Sequence, residues 1–386
     1  MNMAVSFSAT LALAQQERLT RIAQARRAVL EQHQPSPVPW LSPCIERSWR
    51  RCLGLGLDPH QPVTFAPVST NAMREAIDRS RALREAARGV MRSLTRAMLH
   101  TQHFAILTDA QGTVIEVLGP VDHQNPHARA IARVGVNLSE AAVGTTAIGT
   151  TLAELQPVWL HRGEHFFDNT TVFSCAGAPI FGSDGHCVGM LDLTGVNVPE
   201  QPALKHLVEQ SARSIENHLV LSKPHRVLLR LNWPGRVLGD DSDGLVALSD
   251  EGYLVGMNRT ARDMLSLHAR WSAQDHCSLA FAVGADTLFD AALTRRGPFE
   301  VPLWTGLRLQ VLAQPRPDAP LRHPQRKCST TTHGVPLKDM ETALILKAVE
   351  DARGNVQEAA RALGISRATV YRKLGKPKPR LSKPAC

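Results

Sequence analysis

The chain has 386 residues, enough for two or three domains. Its formal net charge is +9, and 43% hydrophobic with 20% charged residues are the proportions of a globular protein, not of a disordered or fibrous one. No apolar run approaches the ~20 residues of a membrane-spanning helix, and the seven cysteines, odd in number and without a CxxC pair, form no legible disulfide framework. A reducing cytoplasm is the expected compartment, and the short apolar piece from Ala9 to Ala14 lacks the preceding cation of a signal peptide.

Taken in chain order, residues 15–31 have a basic, helical pattern that Pro35, Pro37, Pro39 and Pro43 interrupt. Asn71 to His100 returns to helical periodicity. Met73, Ile77, Leu83, Ala87, Val90, Met91, Leu94 and Met98 approximate one stripe, suited to a core or a dimer seam. Phe104 to Leu118 predicts two strands around the turn formers Asp109 to Gly112, and Gly144 to Leu152 a helix. Val172 to Phe181 and Cys187 to Leu193 predict a hairpin turned at Ser183-Asp184-Gly185. Leu204, Leu207, Val208, Ala212, Ile215 and Leu219 mark a second helical stripe reaching Leu221, also suited to a dimer seam. The expectation for 85–222 is helices flanking an antiparallel sheet, preceded by a helical lead-in over 1–84.

After Pro224, Gly244 to Leu248 and Tyr253 to Met257 predict strands, Asn258 caps a helix through Leu265, and Leu303 to Leu312 predicts a last strand. A second domain is expected over 223–312. From Ala313 to Gly334 the Pro-, Arg-, Ser- and Thr-rich composition predicts a linker.

The final segment, 335–386, predicts a helix-turn-helix. Gly354 can close one helix in the left-handed conformation and Asn355 can cap the next. That second helix, Val356 to Leu363, carries the small Ala359-Ala360 pair where two helices cross. Gly364 turns the chain, and Ser366 can cap a third helix that holds Val370 and Leu374 inward. From Arg353 onward nine cations face Glu358 alone, so 9 − 1 = +8 of the chain's +9 lies here, the footprint of phosphate contacts. Arg367, at the start of the recognition helix, suits a bidentate contact with guanine. Ser366, Thr369 and Tyr371 share its outward face, and Arg372 and Lys373 suit the backbone. Asn355 and Gln357 can meet phosphate from the preceding helix. Double-stranded DNA is the expected partner.

Gly354-Asn355, Ala359-Ala360, Leu363-Gly364-Ile365-Ser366-Arg367 and Thr369 to Leu374 resemble the Fis-type helix-turn-helix that ends bacterial enhancer-binding regulators, although Ala368 stands where that family usually has a polar residue. Gly144 to Leu152, Pro157-Val158, Glu164-His165-Phe166, Ser174 to Ile180 and Gly189 to Gly195 resemble the GAF-type sensor of acetoin-catabolism-type regulators. Ser48-Trp49 with Gly56-Leu57-Asp58-Pro59 resembles the lead-in to that domain, and Gly244 to Leu265 the start of a PAS domain. The resemblance implies a multidomain α+β protein: GAF-like and PAS-like α/β sensor domains plus an all-α helix-turn-helix domain. It places Glu164, His165, Phe166 and Cys175 near a sensor pocket for an unidentified small-molecule effector. It also implies a homodimer, with RNA polymerase as a possible partner. Full-length members carry an ATPase between sensors and helix-turn-helix. This sequence has no GxxxxGK[ST] phosphate loop and no GAFTGA loop, so ATP-driven opening of sigma-54 promoters is not carried over.

Catalytic chemistry is not expected. No GxSxG elbow occurs. His161 and His165 flank Glu164 in a sequence that is not HExxH, and Gly163 weakens a helix there, so a loop or pocket rim is expected and no metal. No cofactor is expected. Cys175 and Cys187 lie on strands expected to pair, which leaves a cysteine redox or sulfoxide-reductase-like signalling protein with a nonspecific basic tail as the alternative; buried structural cysteines fit better.

Overall fold

The computed structural model describes residues 15–316, except 268–270 and 273, and in the C-terminal region 345, 348, 349, 352, 355–362, 365–367, 369 and 370. The chain divides into two compact units, Met1–Leu321 and Arg322–Cys386. The expected sensor domains therefore share one unit.

Helix α1 runs over residues 15–26 and ends in a wider π turn, Arg27–Glu31. Helix α2, Pro43–Gly54, starts on Pro43, whose fixed φ suits a first turn. It buries Ile45, Trp49 and Cys52. The single helix expected over 71–100 is two: α3, Thr70–Arg79, capped by Ser69, and α4, Arg81–Ala97, with the break at Ser80.

The first sheet is five-stranded and antiparallel, in the order β2-β1-β5-β4-β3. Its strands are β1 His103–Asp109, β2 Val114–Leu118, β3 Val158–His161, β4 Phe173–Phe181 and β5 Cys187–Val196. Helices cover both faces, which is why its central strands are almost continuously buried. On one face α1, α2, α5 Pro126–Ile131, the short α6 Glu140–Val143 and α7 Ala147–Glu154 enclose Trp49, Ile106, Phe166, Phe173, Cys175 and Met190. On the other, α4 and α8 Leu204–Leu221 enclose Leu107, Leu191 and Leu193.

That second packing corrects an expectation. Leu83, Ala87, Met91, Leu94 and Met98 lie in one buried cluster with Val208, Ala212, Ile215 and Leu219. The stripes read as suited to a dimer seam are occupied within the chain.

The second sheet has the order β8-β7-β6-β10-β9. Its strands are β6 Val227–Asn232, β7 Gly244–Leu248, β8 Leu254–Met257, β9 Phe299–Pro302 and β10 Arg308–Pro315. Strands β6 and β9 were not expected. β10 extends through Ala313, Gln314 and Pro315, which pair with Leu229, Leu228 and Val227, so it takes in the start of the segment expected as linker. One face packs on α9 Arg259–Met264 and α10 Ala285–Leu293 around Leu229, Val246, Phe281, Leu288 and Val311.

The two sheets are joined by a dry polar seam. Met257 N donates to Ser183 O at 2.9 Å. Asn258 accepts from Ala261 N as the expected cap and donates to Asn217 Oδ1 at 2.7 Å and Asp243 O at 2.8 Å. The Arg259 and Arg262 guanidinium groups lie 5.2 and 5.7 Å from the Phe181 ring centroid.

Candidate sensor site and nucleic-acid interface

The four residues expected at a sensor pocket lie on or beside the α1/α2/α7 face of the first sheet. His161 ends β3, a 3-10 turn follows at Arg162–Glu164, and His165, Phe166 and Phe167 lead into the next turn at Asp168–Thr170. The His-Arg-Gly-Glu-His segment is thus a turn, and its histidines do not share a helical face. Among the described residues no group of three or more His, Cys, Asp or Glu is placed to hold a metal ion.

Glu164 is buried; its Oε2 accepts from His161 N at 2.7 Å, and Arg18 Nη2 donates to Oε1 at 2.9 Å. Burial pushes its carboxyl up, against the opposing pull of Arg18. Arg26 reinforces the clamp by donating to Gly163 O and Phe166 O, each at 3.0 Å. Residues of α1 more than 130 positions away thus pin this turn, a contact no local pattern could reveal. Between α1 and the turn lies a cavity of about 600 Å³ lined by Glu164, Arg18, Trp40 and Leu41.

His165 is fully enclosed. Its Nδ1 lies 2.9 Å from Arg162 O, and because a carbonyl can only accept, Nδ1 carries the proton. Nε2 is therefore a bare acceptor, and it is buried without a partner. Burial holds the ring neutral, with a pKa of about 4. It adjoins Phe173, with centroids 6.2 Å apart. His161 is likewise held down to about 4, first by burial and then by Arg162 and Arg18; its Nδ1 is 2.7 Å from Ser174 Oγ.

Cys175 faces this core and pairs in register with Thr194, whereas Cys187 pairs with Phe181 at the far end of the same ladder. The strands pair as expected, but the register keeps the two sulfurs from meeting. Burial also pushes both thiols up, away from the thiolate a redox centre needs.

Asp192, which the sequence reading did not single out, shares the Cys175 side of the sheet. It pairs with Gly177, accepts from Thr194 Oγ1, and leaves Oδ1 buried without a partner. Burial raises its pKa to about 7. A Cβ at Gly177 would lie 2.7 Å from Thr151 Oγ1, itself buried and unpartnered. The signal was present in sequence: Asp192 occupies an inward position in Met190-Leu-Asp-Leu-Thr194, where alternation puts core residues.

In the C-terminal unit, α11 Val356–Ala362 is capped as expected, with Asn355 Oδ1 accepting from Gln357 N at 3.1 Å and Glu358 N at 3.3 Å. Ser366 Oγ accepts from Thr369 N at 3.2 Å and lies 2.9 Å from Thr369 Oγ1. Ile345, Ala360 and Val370 form a small buried core, with Val349, Val356 and Ile365 against it. Gln357 and Arg367 are exposed, whereas Asn355, Ser366 and Thr369 are engaged in capping. Tyr371, Arg372 and Lys373 lie outside the described residues.

The model of the Fis family of bacterial regulatory proteins matches residues 336–376, and the GAF domain model matches 82–219. The chain is 29% identical over 268 residues to the acetoin catabolism regulatory protein of Cupriavidus necator, covering 66% of this chain and 39% of that protein. It is 26% identical over 225 residues to the signal-transduction and transcriptional-control protein of Clostridium beijerinckii, covering 58% of this chain and 36% of that one. The chain thus spans well under half the length of these relatives. Among solved structures, a chain from the E. coli DhaR(N)–DhaL complex is covered over 100% of its length and 71% of this one, with TM-score 0.44 and 15% identity. The chain therefore combines a GAF-type sensor domain with a Fis-type helix-turn-helix region and is related to acetoin-type regulators. The Fis-family model and both of these relatives are described as regulatory proteins. Among the described residues no helix is long and apolar enough to cross a membrane.

Proposed function

We propose that this chain is a transcriptional regulator that couples small-molecule sensing by the GAF-like domain, 85–222, to sequence-specific reading of double-stranded DNA by 335–386, without ATPase activity. A PAS-like domain that runs to the end of β10 at Pro315, and a linker after it reaching 334, join them. The observation that carries this reading is the coincidence of the Fis-family match with a capped helix around an apolar core, Arg367 standing exposed. Arg367 takes the base-reading role and Gln357, Arg372 and Lys373 the phosphate role, while Asn355, Ser366 and Thr369 serve first as caps. Two copies of the chain bring two such units to a palindrome about 34 Å apart.

The effector site in this reading is the enclosed face carrying His165, Phe166, Cys175 and Asp192, beside Glu164. It is supported by the unpartnered buried His165 Nε2, Asp192 Oδ1 and Thr151 Oγ1, since such atoms are costly unless something bonds them. Their surroundings favour a small, neutral, hydrogen-bonding molecule. Binding shifts a preexisting balance of arrangements and thereby RNA polymerase recruitment.

Gel-shift and footprinting with the full chain at several salt concentrations test the DNA role. Arg367→Ala is expected to lose about 1–3 kcal/mol of discrimination between sites. Lys373→Ala is expected to weaken all duplexes alike and to reduce the salt slope by about one. Equal losses on specific and random DNA for both variants reject the roles, and binding without any footprint rejects sequence-specific regulation.

A further inference from the structure

The second sheet has one face on its core, while the other is covered by α8 only towards β6 and β7, where Val220 meets Leu228, Leu245 and Ala247. Beyond that cover, a cavity of about 670 Å³ opens between the end of α8, β6, the α10–β9 turn and the end of β10. Leu228 and Leu312 line it with Arg230, Arg295, Arg296 and Arg316. The volume falls within the ~300–1,000 Å³ of small-molecule sites.

The arginines are not equivalent. Arg230 is paired with Asp243 at 3.1 Å. Arg295, Arg296 and Arg316 have no acidic partner among the described residues, and all three are exposed. Arg296 lies 4.9 Å from the Phe299 ring centroid, which orients its guanidinium without neutralising it.

Arg295 also holds an unusual backbone. Helix α10 ends with Arg296 N donating to Ala291 O at 2.9 Å and Arg295 N to Ala292 O at 3.2 Å. This is the Schellman closure, in which the residue at Arg295's position is left-handed and most often glycine. Arg295 adopts φ of +49° there, although Gly297 stands two residues on. A cation near a helix C-terminus gains a little from the dipole, but a lysine or arginine one turn earlier would gain that without strain. Strain retained at a charged residue on a cavity rim points to use of the charge.

We propose that this cavity binds a small organic anion: an acidic group, carboxylate, sulfonate or phosphate, on an apolar body. Arg295, Arg296 and Arg316 hold the acidic group, and Leu228 and Leu312 receive the apolar part. The site is separate from the effector face of the first sheet and stands without it. It also has a consequence for coupling. Arg316 directly follows β10, from whose end the chain continues towards 335–386, so an anion shared between Arg316 and the α10 turn braces the end of that strand.

The probe is 1-anilinonaphthalene-8-sulfonate, titrated by fluorescence against the full chain, with uncharged N-phenyl-1-naphthylamine as its neutral counterpart. The sulfonate is expected to bind saturably and at least ~10-fold more tightly than the neutral compound. Arg295→Glu/Arg296→Glu is expected to lose ~10-fold or more, while Arg88→Glu/Arg92→Glu on the exposed face of α4, with the same charge change, stays within about twofold. Arg295→Gly separates structure from binding: its melting temperature is expected to rise as strain is relieved, while sulfonate affinity falls. Equal affinity for the two probes, or for wild type and the α10-turn variant, overturns the proposal. So does displacement of the sulfonate by duplex DNA, which would make the arginines a nucleic-acid contact instead.

Discussion

Each of the two five-stranded sheets sets its last strand beside its first, yet they treat water differently. The first is covered by helices on both faces and is buried along nearly the whole of β1, β4 and β5. In the second, β7 is buried throughout, but β10 alternates, with Leu309, Val311 and Ala313 buried between residues that are partly or fully exposed. Polar groups in or against the first sheet are therefore buried and shifted: Asp192 up to about 7, and His165, in the turn after β3, down to about 4. Arg295, Arg296 and Arg316, at the rim of the second sheet's open face, are exposed. One sheet thus holds polar groups in a low dielectric, while the other presents them to water.

The contrast can be broken by substitution. The largest effect is expected from Phe173→Ala, which empties the enclosed face next to His165 and Phe65 and costs about 3–5 kcal/mol in denaturant unfolding. A loss below about 1 kcal/mol would mean that this face is already loosely filled. Next comes Asp192→Asn. An acid whose folded pKa lies above its unfolded value keeps a proton that the unfolded chain has lost, so stability declines as pH rises from about 4 towards 7. The asparagine variant is expected to gain on the order of 2–4 kcal/mol at pH 8 and nothing at pH 3. His161 and His165, held down, act the other way, with stability lost as pH falls from 6.5 through about 4. Variant and wild type are therefore compared at equal pH, and a pH-independent difference would show that Asp192 is not the titrating group.

Asn258→Ala tests the seam between the sheets. It removes a helix cap and the bonds to Asn217 and Asp243, with an expected cost of about 2 kcal/mol and unfolding of the two sheets at separate midpoints. A single sharper transition would place the coupling elsewhere. The smallest effect is expected for Leu312→Ser on the open face, under about 1 kcal/mol by thermal melting, with sulfonate binding weakened. A loss as large as that of Phe173→Ala would erase the distinction between the faces.

Much of this contrast was legible in the residues. The strands at β1, β2, β4, β5 and β7, helices α7 and α8, and the caps Asn258, Asn355 and Ser366 follow from periodicity and turn chemistry that tertiary contacts reinforce. Strand β6 escaped because Val227-Leu-Leu-Arg-Leu reads equally as strand or buried helix, and β9 because four residues carry too little pattern. The break at Ser80 escaped because the apolar spacing runs on across it. The stripes of α4 and α8 were visible, but not that they face each other; periodicity says that a face is buried, not by whom. The enclosed face of the first sheet was legible in part. Glu164, His165, Phe166 and Cys175 cluster there, while the Arg18 and Arg26 clamp depends on residues far apart in sequence.

β10 pairs with β9 from Arg308 to Val311 and with β6 from Gln310 to Pro315, so its end is held by β6 alone. Force applied to Pro315 along the strand axis would load the pairings with β6 together in shear instead of unzipping them singly. Removing residues before Pro315 would therefore shorten the resisting ladder pair by pair.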